Sequence, residues 1–264
     1  MLTQKQFDFV SGCVLGDGHI RVDLKAAQYR HQESSDYTHY KCYLLVMSHS
    51  EKQKSYLCWK TSVVNSILSR KGSVRKCKWV TAGKEYVGFQ VGIGSNDLKE
   101  IREGLYPSGK KIFTTSFLKK LTLQALAIFW MDDGCISFSY KKGARDQRLI
   151  KDRSAMLSVC SDEQQACVVG NWIKSLTGAN YKLVPHKKSG TFYLRWTSDD
   201  MRKLIYAIEP FVFPLEDMRY KINLKYGKAR PICFSASPNG QQLVNDWERL
   251  MDDKTPRVPS TLAS

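Results

Sequence analysis

The chain contains the stretch Val10-Ser11-Gly12-Cys13-Val14-Leu15-Gly16-Asp17-Gly18, and its pattern returns in Leu126-Ala127-Ile128-Phe129-Trp130-Met131-Asp132-Asp133-Gly134. Each stretch reads as an apolar helix that runs into an aspartate and ends at a glycine. The C-terminal end of a helix carries partial negative charge and favours cations over carboxylates. Asp17 and Asp133 therefore predict a bound cation, and a divalent metal is the natural one because hard cations prefer oxygen ligands.

A glycine after each aspartate predicts where the two helices end. We expect Gly18 and Gly134 at the C′ position in the left-handed conformation, which carries no Cβ penalty for glycine. A single Asp-Gly pair is a common turn and would indicate only a capped helix. Two copies behind apolar helices favour a shared function instead.

Both stretches resemble the signature of the LAGLIDADG homing endonucleases, in the form that carries two motifs on one chain. In the first copy, Gly12 and Gly16 stand at the small positions of the motif. In the second copy, Ile128 and Asp132 occupy those positions. The resemblance implies that the two motif helices pack side by side, with Ile128 fitting as a knob against the glycine-bearing helix.

Composition predicts a negatively charged partner and an intracellular location. Lys and Arg number 41 against 25 Asp and Glu, which gives a net charge of +16 and points to nucleic acid. The eight cysteines form no C-x-x-C pair, which argues against a zinc finger and for reduced thiols. We expect no signal peptide and no membrane span. The predicted location is a reducing compartment that contains the target DNA.

The chain shows the same order of elements twice: helix, two strands, helix, two strands, helix. A landmark supports the duplication, since Gly94-Ser95-Asn96-Asp97-Leu98 ahead of Pro107 returns as Thr197-Ser198-Asp199-Asp200-Met201 ahead of Pro210. The predicted units are a first repeat at 1–107, a linker at 108–121, a second repeat at 122–227 and a C-terminal extension at 228–264.

The predicted fold class is α+β, with two pseudo-symmetric αββαββα repeats. In the LAGLIDADG family each repeat has a four-stranded antiparallel sheet that forms half of a DNA-binding saddle, and the motif helices pack at the centre. The major groove is wide enough to admit a β-ribbon. By strand alternation, the outward positions predicted to contact DNA in the first repeat are Arg21, Asp23, Lys25, either Arg75 or Lys76, and Lys78. In the second repeat they are Ser137, Ser139, Lys141, Lys182, His186, Tyr193 and Arg195.

The resemblance also implies an active site. Asp17 and Asp133 are predicted to be catalytic and to bind Mg²⁺, for which Mn²⁺ would substitute, and the preceding residues Gly16 and Asp132 are secondary metal ligands through their carbonyls. Each scissile phosphate has a lysine nearby in this family. Lys110 and Lys221 match these positions, and Lys111 is the alternative to Lys110 if the register differs by one residue. The five histidines show no spacing typical of metal ligands.

The predicted activity is a site-specific, double-strand cut in a long asymmetric DNA target, leaving short 3′ overhangs. The resemblance predicts a monomer without an obligate protein partner, encoded in an intron or free-standing. The alternative is an RNA-binding maturase, with its own intron RNA as partner, or a DNA-binding relative that has lost cleavage. Retention of both aspartates favours the nuclease, because RNA binding alone needs no pair of acids facing phosphate.

Overall fold

The computed structural model describes residues 1–23, 42–81, 83–142, 148–186, 189–212 and 214–224. Its first half contains α1 (Gln4–Leu15), β1 (His19–Asp23), β2 (Cys42–Ser50), α2 (Lys54–Ile67), β3 (Arg75–Thr81), β4 (Lys84–Gly94) and α3 (Lys99–Leu105). A short helix, α4 (Thr115–Leu118), follows. The second half contains α5 (Leu123–Asp133), β5 (Gly134–Lys142), β6 (Arg148–Ser161), α6 (Glu163–Thr177), β7 (Lys182–Pro185), β8 (Phe192–Thr197) and α7 (Ser198–Val212). Within these described ranges, 3₁₀ helices lie at Glu51–Gln53, Asn96–Leu98 and Glu216–Lys221.

The two halves have sheets of the same topology, which confirms the predicted α+β class with two four-stranded antiparallel sheets. The strand orders are β1-β2-β4-β3 and β5-β6-β8-β7. Every neighbouring pair of strands in both sheets is antiparallel. Each motif helix leads directly into the first strand of its sheet, so the aspartate of each motif lies just before that strand.

Local sequence sets the start of α1 and the burial of α5. Thr3 ahead of the first apolar helical residues predicts an N-cap. It caps α1, because Gln6 N donates to the Thr3 hydroxyl and the Gln6 side chain accepts from Thr3 N in return. In α5 all seven residues from Ala125 to Met131 are almost completely buried. A helix that is apolar all round is stable only inside a protein, so α5 forms the centre of the core.

Two segments contain more regular structure than their sequence patterns predict. The polar, basic sequence at 142–153 predicts a loop, but β6 begins at Arg148 and pairs with β5 from there. Backbone pairing with β5 overrides the polar sequence there. The predicted linker at 108–121 contains α4, which Thr114 caps and whose Phe117 is buried.

Some predictions fall outside the described residues. They are Lys25 and the extension at 228–264, in which the sequence at 241–251 predicts a last helix. The boundaries of the predicted units stay predictions. In the part of the chain that the structure describes, no helix is long and apolar enough to cross a bilayer.

Candidate active site at the ends of the motif helices

Glycines in α1 allow the two motif helices to touch. A Cβ atom on Gly12 would lie 2.7 Å from Ile128 Cβ and 2.8 Å from the Ala125 carbonyl oxygen. A Cβ atom on Gly16 would lie 2.4 Å from Asp132 Oδ2. Real Cβ atoms do not approach other atoms this closely, so any larger residue would push the helices apart. Ile128 thus packs against Gly12 in the way that the sequence predicted.

A buried acid in the first half of α1 contacts the start of α5, so the two helices run parallel. The Asp8 carboxylate of α1 accepts hydrogen bonds from Thr122 N at 3.1 Å and from the Thr122 hydroxyl at 2.8 Å, at the first turn of α5. Burial raises the pKa of Asp8 above its usual value, and the bonds from Thr122 lower it in part. With Asp8 at one end and Gly16 at the other, both helices end on the same side of the molecule.

The glycines after the aspartates allow neighbouring atoms to approach closely; they do not adopt the left-handed conformation. Neither Gly18 nor Gly134 has a positive φ, and Gly134 is extended at φ −78° and ψ 152°. The predicted left-handed C′ conformation is therefore wrong at both. A Cβ atom on Gly18 would lie 2.5 Å from the Cys13 carbonyl oxygen, and one on Gly134 would lie 2.3 Å from the Trp130 ring. Close approach is the reason for glycine at these positions.

Asp17 and Asp133 come together at the shared helix end. The Asp17 side chain is 39% exposed, and Asp133 is partly buried. Burial raises the pKa of Asp133 to about 7, and the negative charges of Asp17 and Asp132 add to this rise. Burial and the charge of Asp132 likewise raise the pKa of Asp17. Carboxylates that repel one another in this way favour a cation between them.

Asp132 takes part in a buried ion pair. Lys60 Nζ of α2 lies 2.9 Å from Asp132 Oδ1 and 3.1 Å from Oδ2, and both side chains are fully buried. Burial lowers the pKa of Lys60, but the attraction of Asp132 outweighs it and leaves the pKa above its usual value. Asp132 Oδ2 also accepts a hydrogen bond from Asp17 N at 3.1 Å.

A buried histidine completes this cluster. His49 Nδ1 lies 3.4 Å from Asp17 Oδ2 and 3.4 Å from the Gln53 side-chain oxygen. Burial and the charge of Lys60 lower the pKa of His49 to about 4, so the ring is neutral at neutral pH. Its Nε2 is buried without a hydrogen-bond partner and lies 4.0 Å from Asp132 Oδ1.

Among the described residues, the ligand atoms of Asp17, His49 and Asp132 lie within 4.8 Å of one another and could hold a metal. The ammonium group of Lys60 already occupies the cation position on Asp132, however. Among the acids named here, Asp17 and Asp133 retain carboxylate oxygens for a metal.

Lysines donate to the last carbonyls of both motif helices. Lys111 Nζ donates to the carbonyls of Leu15 at 3.3 Å and Gly16 at 3.1 Å. Lys221 Nζ donates to the carbonyls of Asp132 at 3.1 Å and Gly134 at 2.7 Å. The two carbonyls predicted as metal ligands, those of Gly16 and Asp132, are thus lysine acceptors, each with a second lone pair. Burial lowers the pKa of Lys221.

Lys110, the first choice from the sequence, is exposed. Its neighbour Lys111 reaches the helix end instead, which is the register that the sequence left open.

Strand register tests which side chains of the first sheet share a face. Arg21 pairs with Leu44, Leu44 pairs with Gly94, and Arg75 pairs with Gln90 of the same strand as Gly94. Directly paired residues point to the same face, so Arg21 and Arg75 lie together. Lys76 and Lys78 lie on the opposite face, which corrects their predicted placement, because side chains alternate along a strand. Lys78 there forms an ion pair with Glu85 at 2.8 Å.

Two aromatic side chains that the sequence did not single out share the face of Arg21 and Arg75. Trp79 and Tyr86 are 38% and 45% exposed and pair directly across β3 and β4. The alternation Arg75, Cys77, Trp79 is the signal that could have found Trp79. Asp23 is the last residue of β1, two residues after Arg21, and therefore lies on the same face as Arg21.

The second sheet also collects most of its predicted residues on one face. Ser154 of β6 pairs with Ser137 and with Thr197, and Arg195 pairs with Lys182. By this register and alternation, the residues on one face are Ser137, Ser139, Lys182, Tyr193 and Arg195. Asp152 lies on the same face, with Oδ2 at 3.8 Å from Arg195 Nη2. Lys141 lies in β5, and His186 follows β7 and is exposed.

The sequence reading missed Lys60 and His49. Lys60 interrupts the apolar side of α2 one turn after Tyr56, and a lysine inside such a stripe is a signal of a buried partner. His49 lies in a segment, Ser48 to Gln53, that repeats loosely in the second half, and nothing in its spacing marks it as a site residue.

Comparison with known proteins relates this chain to one family. The sequence model of the LAGLIDADG DNA endonuclease family matches residues 7–204. Protein RecA of Mycolicibacterium flavescens is 27% identical over 257 residues, which cover 95% of this chain and 52% of that protein. Protein RecA of Mycobacterium shimoidei is 26% identical over 229 residues, which cover 84% and 47%. The chain spans about half the length of these curated relatives.

A solved structure shares the fold. The homing endonuclease I-WcaI bound to its DNA recognition sequence matches with a TM-score of 0.63 and 16% identity. The match covers 86% of this chain and 89% of that chain.

Proposed function

This chain belongs to the LAGLIDADG DNA endonuclease family, and from that premise we propose that it makes a site-specific double-strand break in duplex DNA. One observation carries the proposal. The close, parallel packing of the motif helices brings Asp17 and Asp133 to a single helix end, together with Lys111 and Lys221. Two acids that could hold a divalent metal and two lysines that could stabilise charge suit the hydrolysis of one phosphodiester on each strand.

The donor set at this helix end fits a divalent metal. Asp17 and Asp133 offer carboxylate oxygens, and burial, together with the negative charges of Asp17 and Asp132, raises the pKa of Asp133 to about 7. We propose that these two residues hold Mg²⁺, with Mn²⁺ able to substitute, and that the carbonyls of Gly16 and Asp132 are secondary ligands. A bound divalent ion lowers the pKa of water and stabilises charge on the attacking and leaving oxygens.

The two lysines are proposed to act on the phosphates. The hydrogen bonds of Lys111 and Lys221 to helix-end carbonyls hold each ammonium group beside an aspartate. An ammonium group there would stabilise the negative charge that develops on a scissile phosphate in the transition state.

The sheets are proposed to read the DNA. The net charge of +16 suits a phosphate backbone, which supplies affinity without sequence preference. Sequence preference would come from the faces that carry Arg21 and Arg75 in one sheet, and Lys182, Tyr193 and Arg195 in the other. Because the two faces carry different residues, we propose a long asymmetric target, cut by a monomer to leave short 3′ overhangs. The reducing intracellular location remains part of this proposal.

The proposal is tested by separating binding from cleavage. A library of random duplexes is enriched for binding to the protein in EDTA, and the enriched duplexes are then incubated with Mg²⁺ and their ends sequenced. We expect discrete ends at one shared, imperfectly palindromic site. Duplexes that are bound but not cut in Mg²⁺ or Mn²⁺ would identify a binding protein without nuclease activity. Failure to enrich any duplex would exclude DNA and direct the test to structured intron RNA.

Replacing Lys111 by methionine should lower the cleavage rate by about 10²-fold, because the lost ammonium group stabilises transition-state charge. Lys110→Met is the matched control, since its side chain is adjacent in sequence and exposed, and its rate should stay within about twofold of wild type. Both variants remove one positive charge, so their DNA affinities should fall by a similar, small factor. Single-turnover rates on the selected duplex measure the difference. A larger loss in Lys110→Met would reverse the assignment.

A further inference from the structure

The two halves of the active site hold their aspartates by different means. α5 continues in helical conformation through Asp133, and Gly134 N then donates to the Trp130 carbonyl at the helix end. α1 ends at Leu15, and Gly16 has a non-helical ψ of −128°. Asp17 therefore lies beyond its helix, and its N–H donates to Asp132 Oδ2 of the other repeat at 3.1 Å.

Lys60 fixes the carboxylate on which Asp17 depends. Its Nζ bonds both oxygens of Asp132, at 2.9 and 3.1 Å, and lies 4.6 Å from the centre of the Tyr56 ring. Both side chains are fully buried, so neither is exposed to bulk solvent. Asp132 Oδ2 thus accepts from Lys60 and from Asp17 N at once, which ties the orientation of the carboxylate to the backbone after α1.

The second half has no counterpart of this pair among the described residues. Gly16 stands in the first motif where Asp132 stands in the second. The loose repeat of 48–53 at 159–164 aligns Ser50 with Ser161 and so Lys60 with Asn171, which is exposed on α6. The support therefore acts in one direction, from the second motif helix and α2 onto Asp17.

We propose that Lys60 is a positioning residue that acts through Asp132 on the Asp17 half of the active site alone. Lys60 does not touch the reacting groups. Its loss frees the Asp132 carboxylate and with it the backbone of Asp17, while Asp133 stays on its own helix. The kinetic consequence rests on the proposed nuclease function, whereas the effect on the Asp17 backbone does not.

The backbone effect is measured by amide hydrogen exchange in the full-length protein without DNA. In Lys60→Met, the Asp17 amide should exchange about tenfold faster than in wild type, because its acceptor is no longer held. The Asp133 amide should stay within about twofold. Lys174→Met, an exposed lysine on α6, is the matched control and should change neither. Unchanged exchange at Asp17, or an equal rise at both aspartates, would overturn the proposal.

Lys60→Met leaves Asp132 buried without its cation. Two double variants test the proposal if this variant does not fold. Lys60→Met with Asp132→Asn keeps an oxygen that can accept from Asp17 N, whereas Lys60→Met with Asp132→Leu does not. Both pairs lack buried charge. The Asp17 amide should exchange about tenfold more slowly in the asparagine pair than in the leucine pair. Equal exchange in the two would contradict a positioning function of this carboxylate.

The kinetic effect is measured on a cleavable duplex with a different label on each strand. In Lys60→Met, cutting of one strand should slow by about 10- to 100-fold, while the other strand stays within about threefold and a nicked intermediate accumulates. DNA affinity should not change. Equal slowing of both strands would overturn the proposal. If wild type itself cuts neither strand, the proposed function fails, and the amide exchange still decides the proposal about Lys60.

Discussion

Replacing Asp133 by asparagine should reduce double-strand cleavage by at least about 10³-fold, because the change removes a carboxylate proposed to hold the metal. Asparagine has nearly the same shape, so the packing at the end of α5 is preserved. The same loss is expected for Asp17→Asn, since each acid is proposed to serve one strand. DNA affinity should be equal to that of wild type or higher, because each variant removes a negative charge that faces phosphate.

Stability provides an internal control for this loss. The pKa of Asp133 is about 7 in the folded protein and about 4 in an unfolded chain. A raised carboxyl pKa stabilises the fold below the unfolded value, and this stabilisation is lost as pH rises from about 4 through 7. In EDTA, Asp133→Asn should therefore melt above wild type at pH 8 and closer to it at pH 5.

Two measurements decide the first prediction. Cleavage is followed on the selected duplex in Mg²⁺, and Asp199→Asn on the exposed start of α7 serves as the matched control with wild-type activity. An Asp17→Asn or Asp133→Asn enzyme with wild-type activity would contradict the proposed site. Loss of cleavage together with a lower melting temperature at pH 8 would indicate unfolding rather than lost catalysis.

Replacing Gly12 should have the largest effect on stability. Even alanine would place its Cβ at 2.7 Å from Ile128 Cβ and 2.8 Å from a backbone carbonyl, and backbone cannot move aside as a flexible side chain can. We expect Gly12→Ala to cost about 1–3 kcal/mol, as is typical of overpacked cores, although alanine favours helix by about 1 kcal/mol over glycine. Gly12→Val should cost more and separate the two helices.

A glycine in open surroundings makes the contrast clear. A Cβ atom on Gly92 of β4 would meet Leu44 at 3.5 Å, an ordinary contact. Gly92→Ala should therefore change the free energy of unfolding by no more than about 0.5 kcal/mol. Urea unfolding of both variants checks the prediction. A Gly12→Ala protein as stable as Gly92→Ala would show that the helices separate at little cost.

Cleavage should follow stability in the Gly12 series. Spreading the helices moves Asp17 away from Asp133, so residual folded Gly12→Ala protein should cut more slowly than its folded fraction predicts. A misplacement of about 1 Å is enough to cost 10²-fold in rate. A cleavage rate in proportion to the folded fraction would mean that the aspartates keep their relation despite the added methyl group.

The sequence by itself determined the class of fold, the repetition and the two aspartates. Those signals are local and periodic: an apolar helix that ends in Asp-Gly, alternating strands after each, and the Thr3 cap. The small positions Gly12 and Gly16 followed from the resemblance to the family motif, and close helix contact is the physical reason for glycine there. The position of Ile128 opposite Gly12 followed from the resemblance to the two-motif family.

The tertiary structure alone decided which side chains reach the site. The sequence does not distinguish Lys110 from Lys111 as the lysine of the active site. The structure does, because the Lys111 side chain points toward the end of α1 and the Lys110 side chain is exposed. A similar one-residue difference put Lys76 and Lys78 on the opposite face from Arg21, because a shift of one residue along a strand moves a side chain to the other face. The run Arg75-Lys76-Cys77-Lys78 has too little apolar alternation to fix that choice. The partnership of Lys60 with Asp132 spans 72 residues and joins two repeats. No periodicity encodes such a contact, since a buried charge is placed by the partner that packing brings to it.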